Sequence, residues 1–251
     1  LAAIETQFHH LVRTVPGNGL IVSNGGDANL DRVLQRGCWT PIERYGVAEG
    51  SQARARDADR LDVLTKAAMQ GRVRWDLLGE HNVANALAAI AAARHAGVPA
   101  KTAIEALASF KNVKRRLEIK GIANGVTVYD DFAHHPTAIA TTIAGLRSKI
   151  GDARLIAVLE PRSNTMKQGS LKDQLAGSLA GADLVFCYSA GLEWDAAAVL
   201  APLGAKVSAN CEFDALLTSL CTALRPGDQV LIMSNGGFNG IHDKLLKKLA
   251  Q

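Results

Sequence analysis

Three polar sequences follow apolar segments that have the composition of buried strands. They are DDFAHHP (130–136), EPRSNT (160–165) and SNGGFNG (234–240). In an open α/β sheet, ligands bind beyond the carboxyl ends of the strands. The pattern therefore predicts that all three sequences lie at one edge of a sheet and form one site.

The first polar sequence carries carboxylates and imidazoles, of which Asp130, Asp131 and His134 are candidate ligand-binding residues. These groups suit a nucleotide, a substrate or a cation such as Mg²⁺ or Zn²⁺. Four adjacent residues cannot all point at one ion, so we predict no metal ligand here. The alternative is a purely structural role, in which the aspartates stabilise a turn and Pro136 is the first residue of a helix.

The other two polar sequences suit an anionic ligand. Arg162 could bind a carboxylate or phosphate through two hydrogen bonds, and glycine-rich sequence lets backbone N–H groups approach an anion. A helix cap and an ordinary loop are the alternatives. The candidate substrate-binding residues are Arg162, Ser163, Asn164, Ser234, Asn235, Gly236 and Gly237.

Two further candidate groups precede these sequences. His81 and Asn85 are four residues apart at the start of an expected helix and share a face, which suits a planar ligand such as adenine. Asn82 belongs to the same group, although it could simply cap the helix. Arg115 and Arg116 could neutralise phosphates or form a solvated charge run.

The elements that position these residues alternate between helix and strand after residue 114. Residues 117–123 and 125–129 predict a hairpin around an Asn-Gly turn, and the later strands are apolar throughout, as in a parallel sheet covered on both faces. Before residue 114 the pattern predicts strands at 20–22 and 72–77 and assigns no element to 48–70. The predicted helices are 1–13, 29–36, 82–95, 98–110, 136–149, 168–180, 195–201, 213–224 and 241–250, and the remaining predicted strands are 155–160, 184–188, 205–209 and 230–234.

Composition narrows the functional classes. The net charge is only +4, and no run of Lys and Arg is interleaved with aromatics, so a nucleic-acid partner is not expected. No apolar run approaches the ~20 residues that span a bilayer, so we expect no membrane association. The four cysteines form no C-x-x-C pair, which favours reduced thiols in a cytoplasmic protein.

The sequence resembles the Mur ligases. GEHNVANALAAIAA (79–92) is similar to the family's G-x-H-N-x-x-N-x-x-A-A segment, and DDFAHHPTAI (130–139) is similar to the D-D-[FY]-x-H-H-P-T segment of members that act on UDP-N-acetylmuramate. Two such members add either L-alanine or the murein tripeptide L-alanyl-γ-D-glutamyl-meso-diaminopimelate. The segments 112–121, 159–169 and 233–246 look like the tripeptide-adding member.

This resemblance implies a fold and two domains. Residues 1–114 would be the carboxyl-terminal portion of an α/β central ATP-binding domain, and 115–251 a complete Rossmann-like, doubly wound carboxyl-terminal domain. The sequence contains no G-x-x-G-K-[ST] phosphate-binding loop. We therefore expect a fragment that is inactive by itself and lacks the UDP-binding domain.

The resemblance also implies a reaction. ATP, with Mg²⁺, would phosphorylate the carboxylate of UDP-N-acetylmuramate, and the amine of the tripeptide would attack the acyl phosphate. His81, Asn82, Asn85 and Asp130 would bind ATP, while Arg115, Arg116, Asp131 and His134 would be catalytic. A non-catalytic ligand-binding module and a metal-dependent hydrolase remain alternatives.

Overall fold

The computed structural model describes residues 1–57, 60–65, 68–75, 77 and 79–251. They divide into two compact units, Leu1–Lys111 and Asn112–Gln251. In the described part of the chain, no helix has the length and apolar character needed to span a bilayer.

The first unit contains a mixed sheet with the strand order β1-β2-β3-β4-β5. β1 to β3 are parallel, and β3 to β5 are antiparallel. Its elements are α1 (Ala2–Thr14), β1 (Ile21–Asn24), α2 (Ala28–Gln35), β2 (Ile42–Tyr45), β3 (Ser51–Asp57), β4 (Arg60–Thr65), β5 (Ala68–Arg74), α3 (Glu80–His95) and α4 (Ala100–Leu107).

The core of the first unit joins the antiparallel strands to α3 and α4. Val63 and Val73 on the strands pack with Leu87, Ile90 and Ile104 on the helices. These helices present small and branched apolar residues on one face, which allows a close approach to the sheet. The described core of this unit is therefore built around α3, the helix that carries the predicted adenine-binding residues.

The second unit, which is described throughout, is a six-stranded sheet with the order β10-β9-β8-β11-β7-β6. All neighbours are parallel except the β6–β7 hairpin. Its elements are β6 (Glu118–Ala123), β7 (Val126–Asp131), α5 (Pro136–Ile150), β8 (Leu155–Leu159), α6 (Asn164–Lys167), α7 (Leu175–Leu179), β9 (Leu184–Tyr188), α8 (Ala196–Leu200), β10 (Val207–Asn210), α9 (Phe213–Ala223), β11 (Gln229–Met233) and α10 (Ile241–Leu249).

Helices cover both faces of this sheet. Successive side chains of a strand point to opposite faces, so β8 places Leu155, Ala157 and Leu159 in one core and Ile156 and Val158 in the other. The first core includes residues of α5, α7 and α8, and the second includes residues of α9 and α10. This confirms the predicted doubly wound α/β fold with its amino-terminal hairpin.

Several predicted elements need correction. The strands β3, β4 and β5 lie in or overlap residues 48–70, for which the sequence suggested no element, and β2 was not predicted. The predicted helix 168–180 is wrong as one helix, because α6 ends at Lys167 and α7 begins at Leu175 after a 3₁₀ turn. β5 ends at Arg74 rather than at 77, and residue 76 of that prediction lies outside the described residues. The predicted helix 98–110 is shorter, at Ala100–Leu107.

Candidate functional site

The three polar sequences lie side by side in the second unit. β11 pairs with β8 on one side and with β7 on the other, and Met233 is opposite both Leu159 and Asp131. All three strands are parallel, so the segments that follow them meet at the carboxyl edge of the sheet. The structure thus brings together the three motifs that the sequence placed at one edge.

Ser234 connects the three segments. Its hydroxyl donates a hydrogen bond to the Glu160 carboxylate and accepts one from the Gly236 amide at 2.9 Å. Its own amide donates to the Asp131 carbonyl at 3.1 Å. Because Ser234 is buried, its hydroxyl stabilises the turn that begins the glycine-rich loop.

Arg162 is exposed and lies against that loop. A Cβ atom added at Gly236 would be 1.8 Å from Nη1 of Arg162, so a side chain at this position would displace the guanidinium. Arg162 forms no ion pair with any carboxylate in the described part of the chain. An unpaired guanidinium held at the carboxyl edge of the sheet is well placed to bind a carboxylate or phosphate.

Ser163 and Asn164 begin the short helix α6. The Ser163 hydroxyl accepts a hydrogen bond from the Met166 amide at 3.4 Å. This serine therefore caps the helix, which was the structural alternative to ligand binding. Asn164 is exposed beside Arg162. The segment therefore presents an arginine and an amide at the edge while Ser163 fixes its backbone.

Asn235 has an unsatisfied acceptor. Its Oδ1 atom is buried and accepts no hydrogen bond from the described residues. Buried polar atoms nearly always have a partner, and an amide oxygen accepts hydrogen bonds from N–H or O–H donors. Asn235 therefore offers an acceptor beside the loop that supports Arg162.

Arg115 is committed to contacts within the second unit. Its guanidinium donates to the carbonyls of Ser234 at 2.5 Å and Gly236 at 2.8 Å. Its Nε lies 3.5 Å from the Asp130 carboxylate, and the guanidinium also lies over the Phe132 ring, 5.2 Å from the centroid. Arg115 thus links the end of β7 to the glycine-rich loop.

Asp130 is a buried carboxylate beside an arginine and a histidine. Besides Arg115, the Nε2 of His242 lies 3.3 Å from Asp130 Oδ1. Burial by itself raises the pKa of Asp130, but the nearby side chains of His242 and Arg115 outweigh it and leave the pKa lowered. Asp130 is therefore stabilised in its charged form, inside the end of β7 rather than after it.

Asp131 is also buried at the end of β7, and it bonds to its own chain. Its carboxylate accepts hydrogen bonds from the amides of Ala133 and Leu117, both at 2.8 Å, and from the Thr142 hydroxyl at 3.3 Å. Burial raises the pKa of Asp131, although these bonds and the charge of Arg116 oppose the shift. Asp131 fixes the turn that follows β7 and the start of the hairpin.

The two histidines of the first motif act in different places. Nδ1 of His134 is 2.8 Å from the Phe132 carbonyl, whereas Nδ1 of His135 accepts a hydrogen bond from the Thr137 amide at 3.4 Å and caps α5. Pro136 is the first residue of that helix. In the described part of the chain, no three His, Cys, Asp or Glu side chains form a candidate metal-binding group.

Arg116 lies over the Phe132 ring, 5.9 Å from its centroid, and three further predicted site residues lie in the first unit, at the start of α3. His81 and Asn85 are exposed and Asn82 is half-buried. The helix α3 begins after Gly79, an N-cap residue that has no side chain with which to cap it. An exposed imidazole and amide one turn apart fit the hydrogen-bonding edge or ring face of a planar base.

Two family models match this chain. The model of the Mur ligase middle domain matches residues 1–93, and the model of the glutamate ligase domain of Mur ligases matches residues 115–236. The chain belongs to the Mur ligase family.

Individual Mur ligases are similar to the chain over its whole length. A UDP-N-acetylmuramate–L-alanyl-γ-D-glutamyl-meso-2,6-diaminoheptandioate ligase of Escherichia coli K12 is 51% identical, covering 100% of the chain and 56% of that relative. A UDP-N-acetylmuramate–L-alanine ligase of Mycobacterium sp. strain JLS is 30% identical, over 94% of the chain and 53% of the relative. The chain spans about half the length of these curated relatives.

A solved Mur ligase supports the same relationship. The crystal structure of a murein peptide ligase from Psychrobacter arcticus 273-4 has a TM-score of 0.74 and 42% identity, and the match covers 100% of this chain and 55% of that structure. The similarity includes both units of the chain, so each has the fold of a Mur ligase domain.

Three residues of this Mur ligase site were not among the sequence candidates. Glu160 accepts the Ser234 hydroxyl, Glu118 accepts the Arg115 amide at 2.9 Å, and His242 faces Asp130. A histidine in the first turn of the helix after the glycine-rich loop was the one available signal for His242. Glu160 was visible as the first residue of the 160–165 motif, but its partner Ser234 is 74 residues away along the chain, and nothing in the sequence singled out Glu118.

Proposed function

We propose that the protein containing this chain is an ATP-dependent ligase that joins L-alanyl-γ-D-glutamyl-meso-diaminopimelate to UDP-N-acetylmuramate. The observation that carries this proposal is the unpaired Arg162 guanidinium held on Gly236 at the carboxyl edge of the sheet. The 51% identity to the E. coli relative of that name supports the choice of acceptor. A tripeptide with carboxylates, unlike L-alanine alone, offers several anionic groups to such a site.

The acceptor peptide is proposed to bind along the 162–164 and 234–237 segments. The Arg162 fork matches a carboxylate geometrically, and the free Oδ1 of Asn235 suits an ammonium or amide donor. Asn164 and the amide of Gly237 complete the expected contacts. In this arrangement the chain's contribution is to hold the peptide so that its amine is oriented for attack.

The ATP side of the reaction is proposed to use His81, Asn82 and Asn85 for the base. When bound, ATP supplies the phosphoryl group that activates the muramate carboxylate. Arg116, which is not tied to backbone carbonyls as Arg115 is, would neutralise phosphate charge, and His134 and Asp131 would shape the nucleotide side. Mg²⁺ would accompany ATP, but the described residues alone do not form a full ligand set for it.

Three other functions make different demands on these residues. A ligase that adds L-alanine would use the same fold, and a ligand-binding module without catalysis would need only the second unit. A hydrolase using residues 130–135 would need their side chains to converge on one metal, whereas His135 caps α5 and Asp131 binds backbone amides. A cytoplasmic location is proposed, because the four cysteines are free thiols, as is usual in a reducing compartment.

The proposal can be tested by transferring the chain into a complete relative. The matching segment of the E. coli ligase is replaced by this chain, and phosphate release is measured with ATP, UDP-N-acetylmuramate and either tripeptide or L-alanine. We expect release that requires the tripeptide. Equal or greater release with L-alanine would instead support the alanine-adding function.

Arg162 provides the internal control of that assay. Arg162→Ala in the chimaera should raise the tripeptide KM by about tenfold or more, because a charge-assisted pair contributes ~1.5–3 kcal/mol, while the KM for ATP stays nearly constant. An unchanged KM for the tripeptide would refute the role of Arg162 but would leave the proposed reaction unaffected.

A further inference from the structure

We propose that Arg115 is a positioning residue that fixes the 234–237 loop and thereby seats Arg162 for the acceptor. Asp130 and His242 hold Arg115 in place. The identity of the ligand rests on the proposed function, whereas the ordering of the loop by Arg115 does not. This differs from the expectation that Arg115 contacts phosphate.

The backbone of Arg115 is fixed before its side chain acts. Its φ is 61°, in the left-handed region, which costs free energy for a residue other than glycine. Its amide donates to the Glu118 carboxylate at 2.9 Å, and its carbonyl accepts from the Phe132 amide at 2.9 Å. A strained backbone held at both polar groups directs the side chain towards the carboxyl edge.

The guanidinium of Arg115 then joins three partners, which are the carbonyls of Ser234 and Gly236 and the carboxylate of Asp130. Nη2 donates to two carbonyls of the loop, those of Ser234 and Gly236, while Nε faces Asp130. A planar fork with fixed donors can serve such a set, whereas an ammonium group acts as a single point charge. Arg115 thereby fixes the carbonyls of the two residues that flank Asn235.

Asp130 is the counter-charge that orients this fork. Its side chain is 7% exposed, against 30% for Arg115, so an uncompensated charge here would be costly. His242, 13% exposed, approaches the same carboxylate from α10. The first turn of α10, the helix that follows the loop, therefore helps to fix the carboxylate that orients Arg115.

The other end of the loop is anchored by packing. Phe238 is fully buried and contacts the rings of Tyr188 and Phe213, with centroids 5.8 and 6.3 Å away. Because Arg115 also binds the carbonyls of Ser234 and Gly236, the loop is fixed on both sides of Gly237. Because Arg162 lies on Gly236, the position of its guanidinium depends on this loop.

The test compares two arginines with similar bonding. Arg147 also binds backbone carbonyls, those of Gly151, Ala153 and Gly181, and pairs with Asp183. Its side chain is 30% exposed, like that of Arg115. It lies where β8 and β9 begin, at the opposite edge of the sheet, so Arg147→Lys is a matched control for Arg115→Lys.

The first readout is amide hydrogen exchange at residues 235–237, where the Gly236 amide donates to the Ser234 hydroxyl at 2.9 Å. We expect Arg115→Lys to accelerate exchange there by about tenfold or more, since losing a charge-assisted hydrogen bond costs ~1.5–3 kcal/mol, and to leave β8 and β11 protected. Arg147→Lys should leave exchange at 235–237 at its wild-type rate. Equal exchange rates in the two variants would overturn the proposal.

The second readout is the Kd for the tripeptide, measured by calorimetry. We expect this Kd to rise about tenfold in Arg115→Lys and to stay unchanged in Arg147→Lys. Faster exchange with an unchanged Kd would also overturn the proposal, because Arg162 would then not depend on the loop. If wild-type chain fails to bind tripeptide, the proposed function is contradicted, yet the exchange data still decide the role of Arg115. Should Arg115→Lys not fold, Asp130→Asn tests the same support and should accelerate exchange at 235–237 as well.

Discussion

Gly236 is required by a side chain rather than by its own backbone. Its φ is not in the left-handed region, so alanine could adopt the same conformation. A Cβ atom would nevertheless lie 1.8 Å from Nη1 and 2.7 Å from Cδ of Arg162. The glycine therefore leaves space for the exposed guanidinium, and we expect it to influence ligand binding through the position of Arg162.

Gly236→Ala should consequently displace Arg162 without unfolding the protein. We expect the Kd for the tripeptide to rise about tenfold, which corresponds to ~1.4 kcal/mol, with little change in the free energy of unfolding. Calorimetry and chemical denaturation measure the two quantities. Gly177→Ala is the control, because no atom lies within 4 Å of its added Cβ; an equal loss of affinity in both variants would contradict the argument.

Asp130 makes stability depend on pH in a defined direction. Its pKa is lowered in the folded protein, so its charge stabilises the fold above the unfolded value of about 3.9, and this contribution is lost as the pH falls through the folded-state pKa. Asp130→Asn should lower the free energy of unfolding near neutral pH by ~1–3 kcal/mol, a range reduced for the partial exposure of Arg115.

The difference between wild type and Asp130→Asn should shrink below about pH 4, where the wild-type carboxylate begins to protonate. Denaturation curves across this range provide the measurement. A difference that stays constant down to the lowest pH would mean that the charge of Asp130 does not support the fold.

Residue types predicted the edge of the site but not the task of each residue. Asp130, Arg162 and Gly236 could be selected because their chemistry and their place after apolar strands are visible in the sequence. The commitment of Arg115 to the loop could not be predicted, because Ser234 and Gly236 are more than a hundred residues away along the chain. Its pairing with Asp130 depends on the order of strands in the sheet.

At the scale of elements, the β6–β7 hairpin positions both Arg115 and Asp130. Its turn residues, Asn124 and Gly125, have φ of 48° and 73°, as in the tight turns that match the twist of two strands. A Cβ at Gly125 would also approach Cβ of Pro226 to 3.1 Å. The Asn-Gly pair in the sequence was sufficient to predict this hairpin.

Gly125→Ala should therefore destabilise the second unit by ~1–2 kcal/mol, from left-handed strain and the contact with Pro226. Asn124→Gly, which relieves strain at the neighbouring position but loosens the unfolded chain, should change stability by less than ~1 kcal/mol. Chemical denaturation of both variants tests the comparison. Equal stability of Gly125→Ala and wild type would contradict this assignment of the turn.

The elements that could not be predicted depend on contacts between distant parts of the chain or on local backbone geometry. β3 and β4 carry alternating charges, with Arg54 opposite Asp62 in the register, so hydrophobic periodicity was weak and only the pairing of strands reveals the sheet. The break between α6 and α7 surrounds Gly169, whose φ is 75°. A tertiary contact, the Trp194 indole donating to the Met166 carbonyl at 2.7 Å, holds α6 where it ends.

At the scale of the whole molecule, each unit has its own core. The cores on both faces of the six-stranded sheet consist only of residues from the second unit. A unit with its own core and complete sheet could fold independently. We expect residues 112–251 expressed alone to unfold in one cooperative transition, monitored by circular dichroism, whereas a gradual loss of signal would show that they need the first unit.

We propose that the second unit contains the acceptor site of a Mur ligase that uses the tripeptide. This proposal can be tested by calorimetric titration of the chain with L-alanyl-γ-D-glutamyl-meso-diaminopimelate, and separately with L-alanine. We expect saturable binding of the tripeptide that Arg162→Ala weakens, and no measurable binding of L-alanine. Failure of the tripeptide to bind, or binding of L-alanine with the same affinity, would contradict it.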